Sequence, residues 1–245
     1  MAVISPNSAI PLDQYERIVC DWDGVIQLFD DAVIKHMREI EHKYNSVIDL
    51  SAFTKENALA NLLLRNKYNY TDHIEGEELK QFFYKVIFKE AIDKKEFYKS
   101  SMFLPIAQAL QILTGNTTCK NITFLSHIIP PFTNLTISKQ NSFEYFQKEC
   151  KNPNKVNLVL TDGSEISKAE WIKLNAPDYT TFIDDRADTI KDVILNTNSL
   201  HKTFLLPIYG YNVDYQKEFS ELSKEYQCDI TYYSLGNEDL ENSSI

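Results

Sequence analysis

The chain lacks the features of a secreted, zinc-knuckle or membrane protein. Its 245 residues include four cysteines, Cys20, Cys119, Cys150 and Cys228, scattered with no C-x-x-C spacing. That pattern argues against a zinc knuckle or disulfide framework and predicts reduced thiols in a cytoplasmic protein. Positive charge is scarce: 25 Lys and Arg stand against 35 Asp and Glu, a formal net charge of −10. A surface of that sign repels nucleic-acid backbones and anionic membranes, so neither a nucleic acid polymer nor a membrane is expected as a partner. Local cations can still receive a phosphate group. No apolar run approaches membrane-spanning length. Met1 to Glu16 carries no basic residue and is interrupted by Pro6 and Pro11, unlike a signal peptide. The sequons at Asn116-Thr117-Thr118 and Asn134-Leu135-Thr136 then reflect an Asn-rich composition rather than glycosylation. No internal repeat or low-complexity segment stands out.

A hydrophobic fraction of 43% with 12% aromatics predicts a folded chain, either one large domain or a core with an insertion. Short apolar bursts rich in β-branched residues read as buried strands at Arg17–Cys20, Asn121–Leu125, Val156–Leu160, Tyr179–Ile183 and Lys202–Leu206. Helical spacing lies between the last four, at Ser142–Cys150, Ser167–Leu174 and Ala187–Leu195. Strands alternating with helices predict an α/β fold, a parallel sheet covered on both faces. From about Phe29 to Tyr98 this alternation stops. Ile34, Met37, Ile40 and Tyr44, then Leu59, Leu62 and Leu63, then Leu79, Phe82, Phe83, Val86 and Ile87 recur at helical intervals. Three or four amphipathic helices are expected there, with connections near Asp49–Ser51 and Tyr70–His73. A further helix, Pro105–Leu113, leads into the second strand with Gly115 as its stop. The expected partition is a core of 1–28 and 100–245 with a helical insertion at 29–99.

Four features fall where such a sheet concentrates chemistry, just past the carboxyl ends of strands. Asp21-Trp22-Asp23-Gly24 follows the first strand. Two carboxylates at i and i+2 can divide labour there, one attacking phosphorus and one handling protons, while Gly24 lets the backbone turn. Ser126 closes Thr123–Ser126 and offers a hydroxyl to a phosphoryl oxygen. Lys168 opens a helix, and Asp184-Asp185 ends the fourth burst. Taken singly, each has an ordinary use: a carboxylate as helix cap or turn former, a serine in a turn, a solvated helix lysine. Their order along the chain is the specific signal.

That order, Asp21-x-Asp23-Gly24, Ser126, Lys168, Asp184-Asp185, resembles the four motifs of the haloacid dehalogenase superfamily, from about Arg17 to Leu206. The resemblance implies a Rossmann-like core and a magnesium-dependent phosphatase working through an aspartyl-phosphate. Asp21 would be the nucleophile and Asp23 the general acid and base; dehalogenase members lack this second aspartate. Ser126 and Lys168 would bind the phosphoryl group. His127, with the kinked Ile128–Pro131 stretch beside Ser126, reads either as pocket lining or as a rigid loop. Mg2+ would be held by Asp21, the Asp23 carbonyl, and Asp184 or Asp185. Asp188 also fits a family pattern for an acid four positions on, and Lys173 and Lys155 are rivals to Lys168. Arg186 is open to a substrate anion or to a surface ion pair.

The long excursion between Asp23 and Ser126 would be a cap that closes over the site, which suits a small phosphorylated metabolite. Phe29, Tyr68, Tyr70, Phe82, Phe83, Tyr84 and Phe88 offer either base-stacking surface or cap core. Ile183–Arg186 and Leu205–Asn212 are similar to stretches of the family's deoxyribonucleotidase branch, which points to a nucleoside monophosphate. A phosphotransferase or mutase, or a catalytically silent binding protein, are the alternatives.

Overall fold

Successive side chains on a strand face opposite sides of the sheet, and here both sides are apolar. In β2 (Arg17–Cys20), Ile18 and Cys20 enter one core cluster and Val19 the other. β3 (Asn121–Ile128) divides the same way, Ile122 and Phe124 against Leu125. In β5 (Thr181–Ile183), Ile183 and Phe182 part company. In β6 (Thr203–Pro207), Leu205 opposes Phe204 and Leu206. Strands dry on both faces require helices on both faces, which is the doubly covered parallel arrangement.

The computed structural model describes residues 3–4, 12–55, 58, 70–128, 132–176, 179–197, 203–207 and 215–233. Within them, β1 (Val3–Ile4), β4 (Val156–Asp162) and β7 (Asp229–Tyr233) complete a seven-stranded sheet in the order β1-β7-β6-β5-β2-β3-β4. All neighbouring pairs are parallel. The expected α/β parallel sheet is the observed fold, with β1 and β7 added to the five expected strands. Ile230, Tyr232 and Tyr233 of β7 are buried, but Asp229 and Thr231 interrupt them, so no continuous apolar burst marks the strand. β5 starts two residues later than expected. Tyr179 has a left-handed backbone (φ 63°), which cannot continue a ladder, and its side chain is 77% exposed. No described helix is long and apolar enough to cross a membrane.

One face is covered by helices Pro105–Leu113 and Thr133–Lys148, the other by Lys168–Asn175, Ala187–Thr197 and Gln216–Glu225. Helix Thr133–Lys148 begins nine residues before the expected Ser142. Up to Ser142 it buries Leu135, Ser138, Lys139 and Ser142, so the inward face is largely polar there and leaves no apolar periodicity. Trp22 anchors this side of the core: its ring meets Phe124, Phe146, Phe143 and Phe103 edge-on at 5.2, 5.8, 6.1 and 6.4 Å.

Between β2 and β3 the chain runs through helix Phe29–Tyr44, a turn of helix at Ser51–Thr54, and a continuous helical run of Glu77–Phe82, Phe83–Phe88 and Lys89–Ile92, whose middle part is π-helical. It returns through a 3-10 turn, Phe97–Ser100. Phe53 stacks on Phe83 at 5.7 Å, Tyr70 lies 5.0 Å from Phe88, and the Tyr70 hydroxyl donates to Asp30 at 2.5 Å. Leu59, Leu62, Leu63, Tyr68, Pro130, Pro131, the stretch 208–212 and the tail from Gly236 lie outside the described residues.

Phe146→Ala removes a fully buried ring that contacts Trp22, Phe103 and Phe124. It is expected to cost ~3–5 kcal/mol of stability, read from urea denaturation midpoints at unchanged m-value.

Candidate active site

β2 and β5 lie side by side, yet the chain leaves β2 towards β3 and leaves β5 towards β6 on the other side. Where connections diverge in this way, the sheet opens a crevice beyond its carboxyl ends. Asp21 is the first residue past β2, and its N–H still donates to Ile183 O at 2.8 Å. Asp184 is the first past β5, held in the same way to Leu205 O at 3.3 Å. The sheet order thus sets two buried carboxylates beside one another.

Lys168 makes this tolerable. It opens helix Lys168–Asn175, whose N-cap Ser167 accepts from Glu170 N, and its ammonium lies 2.7 Å from Asp21 Oδ2 and 2.7 Å from Asp184 Oδ2. The remaining oxygens have backbone donors: Trp22 N–H reaches Asp21 Oδ1 at 2.7 Å, and Arg186 N–H reaches Asp184 Oδ1 at 2.9 Å. Burial works against the Lys168 ammonium, but the charges of Asp184 and Asp21 outweigh it, and its pKa lies above the ordinary lysine value. Burial pushes the Asp184 carboxyl up to about 6, against the pull of Lys168 and with the push of Asp21. Asp21, Asp184 and Asp185 can each present an oxygen within 4.8 Å of the others. Gly24 closes the floor: with φ at 72°, a Cβ there would overlap the Asp185 carboxylate.

Asp23 sits in a second, adjoining cluster. Its Oδ1 accepts from the Tyr98 hydroxyl at 2.5 Å, and its Oδ2 accepts from Lys139 Nζ at 2.5 Å. Ser126 Oγ is 3.5 Å from Asp23 Oδ2 and accepts from Lys139 Nζ at 2.6 Å. Both Ser126 and Lys139 are 1% exposed, and the Lys139 ammonium also stands 5.2 Å over the Tyr98 ring. Sequence reasoning missed Lys139 and Tyr98. Neither follows a strand or belongs to a motif, and the available signal for Lys139 was a charge four residues from Leu135 and from Phe143 on a helix face.

The other candidates separate cleanly. Lys155 Nζ donates to Asn116 O at the opposite end of the sheet and Lys173 is exposed, so Lys168 is the lysine that reaches Asp21. Arg186 forms a two-pronged ion pair with Asp188, Nε to Oδ1 at 3.1 Å and Nη2 to Oδ2 at 2.5 Å, with both side chains over half exposed. His127, next along β3 from Ser126, engages Thr161 Oγ1 on β4 through Nδ1 at 2.6 Å. Burial, with the Lys168 charge behind it, holds its imidazole below the usual pKa.

Neither a family model nor a curated protein matches the chain. Among solved structures it is similar to a protein from Burkholderia xenovorans LB400 described as a haloacid dehalogenase-like hydrolase, at 12% identity over 92% of this chain and 97% of that one, with a TM-score of 0.49. So slight a likeness carries no argument about chemistry, which rests on the side chains themselves.

Three carboxylates converging within 4.8 Å form a hard-oxygen donor set, and that set fits Mg2+. Lys168→Met would leave Asp21 and Asp184 buried together without their cation. It is expected to lose ~3–5 kcal/mol at neutral pH in urea denaturation. Adding Mg2+ to chelator-treated protein is expected to raise Tm, since a ligand at ~100 times its Kd contributes about 2.7 kcal/mol. Asp185→Asn should abolish most of that rise. An undiminished rise in the variant removes Asp185 from the set.

Proposed function

We propose that this chain is a phosphomonoester hydrolase of the haloacid dehalogenase type, acting on a small phosphorylated metabolite through an aspartyl-phosphate. One observation carries the reading: Asp21, Asp184 and Asp185 converge at the sheet's divergence point, with Lys168 bound to the first two and with Asp23 and Ser126 adjoining.

In this reading an Asp21 oxygen bonds to phosphorus as the bond to the leaving oxygen breaks, and the leaving oxygen takes a proton from Asp23. Water then attacks phosphorus and gives its proton to Asp23. The phosphorus–Asp21 bond breaks, which restores the Asp21 carboxylate and releases inorganic phosphate. Lys168 offsets the charge of Asp21 against an incoming phosphate dianion, and it is already within 2.7 Å of that carboxylate. Ser126 Oγ and the Lys139 ammonium, 2.6 Å apart, are placed to receive equatorial phosphoryl oxygens. Asp21, the Asp23 carbonyl and Asp184 or Asp185 would hold Mg2+, which would supply further positive charge to offset the phosphoryl group.

Residues 29–99 act in this reading as a cap that excludes water from the core formed by 1–28 and 100–245. Among the described residues the aromatic side chains are largely used in packing, with Phe83 fully buried and Tyr70 5% exposed while Tyr84 is 39% exposed, which favours a small phosphomonoester over one selected by base stacking. Nucleoside monophosphates, sugar phosphates and an aryl phosphate make the discriminating panel, assayed as phosphate release with Mg2+ and no acceptor alcohol. Release that requires an acceptor redirects the proposal to phosphotransfer. Asp21→Asn is expected to keep the fold and lower turnover by more than ~1,000-fold; a rate within about tenfold of wild type rejects Asp21 as the nucleophile.

A further inference from the structure

Asp23 is bonded on both carboxylate oxygens, and the two bonds differ in kind. Lys139, on Oδ2, is shared: its ammonium also serves Ser126 at 2.6 Å, where a phosphoryl oxygen would seat. An arriving phosphate dianion competes with Asp23 for that ammonium and can draw it away without moving the lysine's stem. Tyr98, on Oδ1, is fixed from several sides. Its backbone N–H donates to Ser138 Oγ at 2.8 Å, and its carbonyl accepts from Gln27 Nε2 at 3.1 Å. Its ring is 1% exposed and packed against Phe97 and Phe29, with centroids at 5.2 and 6.3 Å. Gln27 is itself locked, its Oε1 accepting from Trp22 Nε1 at 3.0 Å and from Ser142 Oγ at 2.6 Å.

We propose that Tyr98 is a positioning residue for Asp23: its phenol pins Oδ1, so that when substrate draws Lys139 from Oδ2, that oxygen takes up a proton from solvent and is the one presented to the leaving group. The proposal rests on the hydrolase reading above and extends it to a residue 75 positions away, on the return leg of the insertion. A terminal carboxylate torsion is otherwise broad and two-fold. Proton transfer needs a heavy-atom separation of about 2.6–3.2 Å, so an Asp23 left to rotate spends less time in range. The same phenol joins the inserted segment to the reacting centre by a direct bond, so a shift of the return leg would be felt at Asp23.

The test is the leaving-group dependence of Tyr98→Phe, which deletes the phenol oxygen and keeps the ring. kcat/KM reports the steps through departure of the leaving oxygen. That departure needs Asp23's proton when the product is an alkoxide, and far less when it is a stabilised aryl oxide. With Mg2+ present, the variant's kcat/KM is expected to fall ~30-fold on an alkyl phosphate but only ~3-fold on p-nitrophenyl phosphate, a fraction of the usual general-acid contribution. A merely structural role would lower both alike, so equal losses, or no loss on either substrate, overturn the proposal. If Tyr98→Phe does not accumulate folded, Ser138→Ala removes the hydroxyl that holds the Tyr98 N–H and should give a smaller loss with the same leaving-group bias; a uniform loss there overturns it equally. Wild-type protein inert on both substrates overturns the hydrolase reading itself and this inference with it, whereas active wild type with an unbiased variant removes only the role of Tyr98.

Discussion

A single buried ammonium, that of Lys168, is what allows the centre of this molecule to exist. Asp184 is fully buried and Asp21 nearly so, and they face one another because β2 and β5 are neighbours in the sheet. Two carboxylates in that position repel, and each has lost the water that would solvate it. Lys168, reaching 2.7 Å from both, offsets the repulsion and supplies a donor to each. Its helix starts at Lys168 itself, capped by Ser167, and that start puts the side chain within reach of the residues past two strand ends. The cost of burying this charge explains why the surrounding backbone is so fully engaged, with Trp22 N–H and Arg186 N–H taking up the remaining carboxylate oxygens.

The second ion pair, Lys139 with Asp23, does for the inserted segment what the first does for the core. Ser138, Lys139 and Ser142 lie on one face of a single helix, and between them hold the return leg at Tyr98 and the loop after β2 at two points, Asp23 and the Gln27 amide. Gln27 in turn ties Trp22, deep in the aromatic core, to the Tyr98 carbonyl. The chain that leaves the sheet at Asp23 and comes back at Ser126, 103 positions on, is therefore tied to the sheet at a point of chemical consequence. Hydrogen bonds of this kind need defined partners and angles, which an apolar contact does not, so they set the return leg's position more sharply than packing alone.

Legibility followed the physics of each feature. Strands at Arg17, Asn121 and Thr203 announced themselves because both faces are buried, which forces runs of apolar residues; the edge strand at Val156 is only partly buried and was legible through Leu158, Val159 and Leu160. Helix Pro105–Leu113 was read to its ends, since its buried face is Ile106, Ala107, Leu110 and Leu113 at helical spacing. The first half of helix Thr133–Lys148 was invisible for the opposite reason, its inward face being serine and lysine. With it went Lys139, a 1% exposed cation that composition alone would place in water. Tyr98 could be read only as one more aromatic of the insertion. Asp21, Asp23, Ser126, Lys168 and the Asp184-Asp185 pair were legible because each stands at the edge of an apolar segment, where a polar side chain has reason to be noticed.

What the amino-acid order determined by itself was the alternation of strands and helices, the long excursion after the strand Arg17–Cys20, and a set of acids, a serine and a lysine at the strand ends and a helix start. Those are local facts, since hydrophobic periodicity and the position of a side chain along its own segment depend on near neighbours alone. Only the tertiary structure decided that β5 lies against β2, which brings Asp184 and Asp185 to Asp21. It also selected Lys168 over Lys155 and Lys173, committed Arg186 to Asp188, and brought Lys139 and Tyr98 onto Asp23. Each of these turns on distances between residues far apart in the chain, which are set by strand order and by the burial of charge, and no local pattern encodes them.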